Sequence, residues 1–283
     1  MEDANPRRKR KSESEDKEGS LLHSFTMAGL AFLFIVLSYQ LFLWLTSIAL
    51  GYETETTFGK VVSKPFENRY WSNARVLFMY ALPSVAYLLL AAALAFYLLF
   101  MQKTVNTLYW FLFWCMVFSV FLISGQLTLS PFAAVISKGV LYQGIPVVTN
   151  WWGVEPMKLY GFMFLSFLLN IFWGIVSFRL VMQLSPSRNT MRSRSNQRNV
   201  VIYYFALPIV VLLPLALILA YPNSVWYILI MLLHFILWLP GLIMKTQSGY
   251  RLERSTVIPS TADTSYFLVF LFIISFVLTL VFL

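Results

Sequence analysis

"GQLTLSPFAAVISKGVLYQGIPVVTNWWGV" (Gly125–Val154) lies between two long apolar runs. It is too apolar for an ordinary loop and too broken by Gly, Pro and Lys for a clean membrane span. Its reading decides the fold, because a full crossing here would move everything after it to the other side of a membrane.

The membrane itself follows from composition. The 283 residues are 59% hydrophobic and 12% charged, whereas soluble domains carry about 25% charged residues. A soluble globule of this composition would expose large apolar patches. The 26 Phe, 15 Tyr and 9 Trp suit lipid-facing surfaces and interfacial belts. The single cysteine, Cys115, sits in an apolar run, has no disulfide partner in the chain and reads as a small core residue. No Asn-x-Ser/Thr sequon occurs in the chain.

A helix needs about 20 apolar residues to cross the hydrocarbon. Seven stretches meet this: Leu22–Leu50, Val76–Phe100, Val105–Ser124, Met157–Met182, Val200–Tyr221, Val225–Met244 and Tyr266–Leu283. The first run is too long for the core of a signal peptide and is expected to remain as an anchor. Ahead of it, residues 1–20 are polar with mixed charge and read as a disordered cytosolic tail; residues 21–283 form the helical transmembrane domain. The fold class is therefore all-α: a polytopic helical membrane protein of about seven spans. Pro83, Pro208, Pro214 and Pro240 each remove a helix hydrogen bond and favour kinks.

Lys and Arg give the orientation. With the tail in the cytosol and seven crossings, fifteen of the 21 Lys and Arg fall on the cytosolic side and six on the other. That bias has the sign expected of cytosolic loops. The strongest local signal is "SPSRNTMRSRSNQRN" (Ser185–Asn199), with four Arg. The N-terminus is expected in the cytosol and the C-terminus outside. The net charge of +9 is thereby explained by topology, and nucleic acid is not an expected partner. Short loops, the absence of sequons and the lone cysteine point to a bacterial inner membrane.

An eighth crossing in Gly125–Val154 would put the four-Arg loop outside. The stretch is therefore expected to be interfacial or re-entrant, on the outer face. Pro131 suits the first turn of a short helix with Ser130 as its N-cap, and Gly139 suits its end. Residues 145–153, "IPVVTNWWG", are expected to be extended, with Trp151 and Trp152 at headgroup depth. If the stretch dips, Gln126, Lys138, Gln143 and Asn150 line an outer cavity.

The second and fifth spans share a triplet. Ala81-Leu82-Pro83 and Ala206-Leu207-Pro208 each follow an aromatic, Tyr80 and Phe205, at similar depths. In this topology the two helices run in opposite directions, so spans one to three and four to six would be inverted repeats, a frequent transporter plan. A tripeptide match in Ala/Leu-rich sequence also arises by chance.

Chemistry-bearing motifs are sparse. The chain contains no His-Glu-x-x-His, no Gly-x-Ser-x-Gly and no phosphate-binding Gly-x-x-x-x-Gly-Lys-Ser/Thr, and no Asp or Glu falls in the seven runs. No cofactor or metal set is read. The polar residues at membrane depth are His234 in "LLHFILWLPG", Gln40 in "VLSYQLFLW" and Asn170 in "LLNIFWG". Each pairs across helices or, if all three meet, forms a polar intramembrane site. The first outer loop, rich in charge and aromatics, is the place to look for a partner. Three functions follow. The first is a non-catalytic subunit or assembly factor of a membrane complex, with the bilayer and a membrane protein as partners. The second is a small transporter or permease with a polar site around His234. The third is an intramembrane enzyme without a readable motif. The shortage of buried ionisable residues favours the first.

Overall fold

The computed structural model describes residues 6–58, 60–64, 71–101, 105–132, 144–185, 193–221, 225–247 and 266–282. They are mostly helical. Helix α1 (Pro6–Ala49) carries its apolar part in Leu21–Ala49, and residues 6–20 continue the helix ahead of it. A hairpin of β1 (Glu53–Thr57) and β2 (Lys60–Lys64) follows, antiparallel with Glu53 opposite Lys64 and Thr57 opposite Lys60. Helices α2 (Asn73–Val76) and α3 (Leu82–Phe96) flank a π turn (Leu77–Ala81), and a second π turn (Tyr97–Met101) ends that span. Then come α4 (Thr107–Leu129), α5 (Ile145–Trp151) and α6 (Pro156–Gln183). Helices α7 (Arg194–Val201) and α8 (Leu207–Ala220) flank a π turn at Ile202–Ala206, before α9 (Val225–Gln247) and α10 (Tyr266–Phe282).

Six of these segments are long and apolar enough to cross a membrane: Leu21–Ala49, Asn73–Phe100, Thr107–Phe132, Pro156–Gln183, Arg194–Ala220 and Val225–Thr246. The seventh apolar helix, α10, falls among the shorter ones. The protein is thus a multi-pass integral membrane protein by the length and apolarity of its helices. Among the described residues the hairpin is the one pair of strands in a mostly helical fold: Thr-rich β1 pairs with β2, and Phe58 and Val61 are buried.

Helix α4 is the centre of the bundle and the most buried span. It packs against α1, α3, α6 and α9. Aromatic rings knit its middle: Trp114 stacks on Phe205 at 5.8 Å, and Phe205 on Trp238 of α9 at 5.5 Å. Its N-terminus is capped by Asn106, whose side chain accepts the Tyr109 N–H at 3.0 Å. The tightest crossing joins α6 and α9. A Cβ on Gly174 would run into the Trp238 carbonyl, and one on Gly241 into the Ile171 carbonyl. Two glycines let the backbones meet, as at close membrane crossings. Helix α10 lies along α1, with the Phe272 ring where a Gly29 side chain would be and edge-on to Phe25 at 5.6 Å.

The two spans sharing Ala-Leu-Pro repeat each other in structure. Each begins with a short α segment and passes through a five-residue π turn ending at Ala81 or Ala206. Each then continues as α-helix, with the proline in the first turn. The amide of Leu82 reaches the Leu77 carbonyl, and that of Leu207 the Ile202 carbonyl. Their buried faces coincide position by position: Val76, Met79, Tyr80, Pro83, Ser84, Tyr87, Ala91 and Ala95 against Val201, Tyr204, Phe205, Pro208, Ile209, Leu212, Ala216 and Ala220. The spans run in opposite directions. Asn73, at the start of the first, bonds Trp151, whereas Ala220, at the end of the second, lies beside Thr57 of the same hairpin end. Proline explains one cross-helix bond. Pro208 has no N–H for the carbonyl four residues earlier, Tyr204, which instead accepts the Ser24 hydroxyl of α1 at 2.9 Å.

Candidate functional site

Gly125–Val154 meets the bundle differently from its sequence-based reading. Helix α4 runs on to Leu129 and closes with a single 3₁₀ turn, Ser130–Phe132, so Ser130 and Pro131 end a helix and do not start one. Ser130 returns its hydroxyl to the Gln126 carbonyl at 3.0 Å. Residues 145–153 are not extended: Ile145–Trp151 is the helix α5, entered from Gly144 at φ 65° with Pro146 in its first turn. Lys138, Gln143 and Gly139 lie outside the described residues. Asn150 is exposed at the end of α5.

Among the residues expected to line an outer cavity, Gln126 is the one whose side chain is bonded inside the bundle in the described residues. It is fully buried in the last turns of α4 and is the hub of a polar knot. The Ile145 backbone N–H, which can only donate, lies 3.1 Å from the side-chain oxygen and so fixes the amide orientation. The same Oε1 accepts the Ser84 hydroxyl at 2.6 Å. Nε2 donates to the hydroxyls of Tyr39 at 2.9 Å and Tyr227 at 3.4 Å. Tyr39 is 3.2 Å from Ser84. Amide to Tyr39, Tyr39 to Ser84 and Ser84 back to the amide form a closed ring of donors and acceptors, an arrangement whose members strengthen one another. The knot joins α1, α3, α4, α9 and the start of α5. Gly144 completes it: a Cβ there would occupy the space of the Gln126 amide.

Above the knot, α5 packs on α4 and on the first π turn. Trp151 Nε1 donates to Asn73 Oδ1 at 2.9 Å. Trp71 gathers Tyr52, Tyr80 and Trp151 at ring separations of 4.8, 6.1 and 6.3 Å. The hairpin is tied down by Gln40, whose Nε2 donates to the Thr57 carbonyl, and by Ser47 and Ser63, 2.9 Å apart. Trp151 and Trp152 remain exposed on this ledge.

Two of the three polar residues expected at membrane depth share a second network, and Gln40 is not in it. His234 Nδ1 is 2.6 Å from the Ile230 carbonyl, an acceptor only, so Nδ1 carries the proton. Nε2 lies 3.0 Å from the Thr128 hydroxyl. Thr128 lies 3.2 Å from Ser166, which donates to the Ser124 carbonyl at 3.0 Å. Asn170 donates to the Ser166 carbonyl at 2.7 Å and accepts the Trp238 indole N–H at 2.9 Å. This network stitches α4, α6 and α9. At the opposite end of the bundle, Tyr109 donates to Gln183 Oε1 at 2.7 Å, and buried His23 stands edge-on to Trp110 at 5.3 Å.

The residues missed from sequence are Tyr39, Ser84 and Tyr227 in the knot, Thr128 and Ser166 beside His234, and Tyr109 with Gln183. Their signal was available: each is a hydroxyl or amide inside an apolar run or, for Thr128 and Gln183, just past the end of one. Hydroxyls are common in such runs and become informative only once neighbours are known.

Among the described residues no three of His, Cys, Asp and Glu come together as a metal set. A cavity of about 90 Å³ lies between the hairpin tip (Thr57, Phe58), the end of α8 and Thr279 of α10. Small-molecule sites are larger, about 300–1,000 Å³. Comparison with protein families, curated proteins and solved structures finds no match to this chain.

Proposed function

We propose that the protein is a non-catalytic subunit or assembly factor of a membrane complex, presenting the hairpin and α5 as a ledge to a membrane-protein partner. The observation that carries this reading is the saturation of Gln126. Its two acceptor and two donor positions are all taken by Ser84, Ile145, Tyr39 and Tyr227. His234 and Asn170 are likewise paired. These three side chains hold helices together, and the exposed indoles of Trp151 and Trp152 sit on a firmly tied support. In this reading α10 is a seventh span parallel to α1, the tail is cytosolic, the ledge and the C-terminus face outward, and the membrane is a bacterial inner membrane. The bias of Lys and Arg supports that orientation.

The test is affinity isolation of the tagged chain from its native membranes in mild detergent, after cross-linking in situ. A stoichiometric partner, lost on Trp151→Ala/Trp152→Ala while the fold persists, is the expected result. Recovery of the chain alone, with and without the cross-linker, contradicts it. A second reading, a small transporter, is favoured by one observation: the oppositely directed, matched spans, a plan shared by many carriers.

A further inference from the structure

The matched spans imply more than a shared motif. Setting the second span on the fifth pairs α1 with α6, and α4 with α9. Packing inside the two units agrees in two of three pairs: α1–α4 and α6–α9 are extensive contacts, and α3–α4 has its counterpart in α8–α9, whereas α1 meets α3 through Tyr39–Ser84 and Tyr87–Ser38 and α6–α8 is not comparably formed among the described residues. Packing between the units does not agree. Helix α1 packs on α8 through Ser24 and Tyr204, and α4 packs on α6. The equivalent contacts, α6 with α3 and α1 with α9, are not comparably formed among the described residues. Two similar units of opposite direction have thus adopted unlike surroundings. Each contains the same irregular element, a π turn followed by a proline, where the regular i→i−4 hydrogen bonding is interrupted.

We propose that this asymmetry marks one of two arrangements of the bundle, interconverted by bending at the two π-turn–proline elements. In the second arrangement the units exchange roles: α1 leaves α8 and approaches α9, and α6 moves onto α3. The Ser24 hydroxyl on the Tyr204 carbonyl holds the arrangement described above. The Tyr109–Gln183 contact between α4 and α6 belongs to the same arrangement. The inference rests on the matched spans alone. Failure to isolate a partner leaves it standing, and its own failure leaves the subunit reading intact.

Spin-label distances test it in the full chain in lipid nanodiscs, with Cys115 replaced by Ala. Leu22 and Tyr203 report α1 against the second π turn. Phe78 and Leu168 report the first π turn against α6. All four side chains are exposed, so labelling them leaves the interior packing untouched. The expected result is a second, longer population for Leu22–Tyr203, accompanied by a second, shorter one for Phe78–Leu168. Ser24→Ala should raise both minor populations together by about threefold, the weight of one average hydrogen bond between membrane helices. A single distance for each pair, unchanged by Ser24→Ala, overturns the proposal. So does a change confined to the first pair, which would be local fraying of α1.

Discussion

Gln126, near the end of α4, receives the backbone N–H of Ile145, the first residue of α5, at 3.1 Å. They lie nineteen positions apart in the chain, yet one side-chain oxygen fastens the ledge to the centre of the bundle. Replacing Gln126 by Leu keeps roughly the volume and leaves Ile145 N–H, Ser84 and Tyr39 without their common partner. A buried polar group left unpaired costs about 1–3 kcal/mol. Gln126→Leu should lower the unfolding midpoint in detergent by several degrees. Ser84→Ala, which removes one member of the ring, should lower it less.

Gly144 makes the same point through backbone geometry. Its φ is 65°, and a Cβ would enter the space of the Gln126 amide. Gly144→Ala is expected to destabilise nearly as much as loss of the glutamine. Gly153→Ala, with a similar positive φ but open space around it, should carry only the cost of a left-handed Ala, about 1–2 kcal/mol. Paired thermal-unfolding curves distinguish the two.

The α6–α9 crossing makes a sharper prediction. Gly174→Leu or Gly241→Leu forces the backbones apart, because the nearest atoms are carbonyls and not pliable side-chain tips. Folded yield should collapse. Gly161→Ala, on the same helix α6 with nothing near its Cβ position, should be neutral or stabilising by up to about 1 kcal/mol. Size-exclusion profiles of the three variants check this.

In the second network the cost should follow the number of groups stranded. Asn170→Leu leaves the Trp238 N–H without its acceptor in a dry core. His234→Leu strands less, because the Thr128 hydroxyl keeps Ser166 as its acceptor, 3.2 Å away. Asn170→Leu should therefore destabilise more than His234→Leu, each within the range of about 0.6–1.7 kcal/mol measured for hydrogen bonds between membrane helices. A double-mutant cycle over Asn170 and Trp238 should show coupling, and one over His234 and Trp238 little.

The long apolar helices were legible because lipid imposes a length and an apolarity that composition reveals directly. What sequence could not give was neighbourhood. Gly125-Gln126 looked like the polar close of a span, yet α4 continues, because residues from three other long helices and the first amide of α5 satisfy the glutamine. The tyrosines of the knot looked like interfacial aromatics, since a phenol's reach depends on the helix facing it. His234 and Asn170 were identified and do share a network, through Ser166 and Thr128. Gln40 was identified alongside them but lies nearer the hairpin and bonds Thr57. The hairpin was not legible within the first outer loop because its strands, "ETETT" and "KVVSK", are short and mostly polar; pairing with each other and packing on α1 decides their form. The Ala-Leu-Pro match was cheap as a tripeptide and gained weight only from the shared π turn and buried face.

The most direct test is the amide exchange rate of Ile145. Hydrogen–deuterium exchange would be followed on the chain in nanodiscs, comparing the unaltered protein with Gln126→Leu. The expected result is slow exchange at Ile145 in the unaltered protein, rising by about tenfold or more in the variant as about 1.4 kcal/mol or more of protection is lost, while the middle of α9 stays protected. Exchange at Ile145 as fast as in an open loop, before any substitution, would contradict a ledge anchored on Gln126.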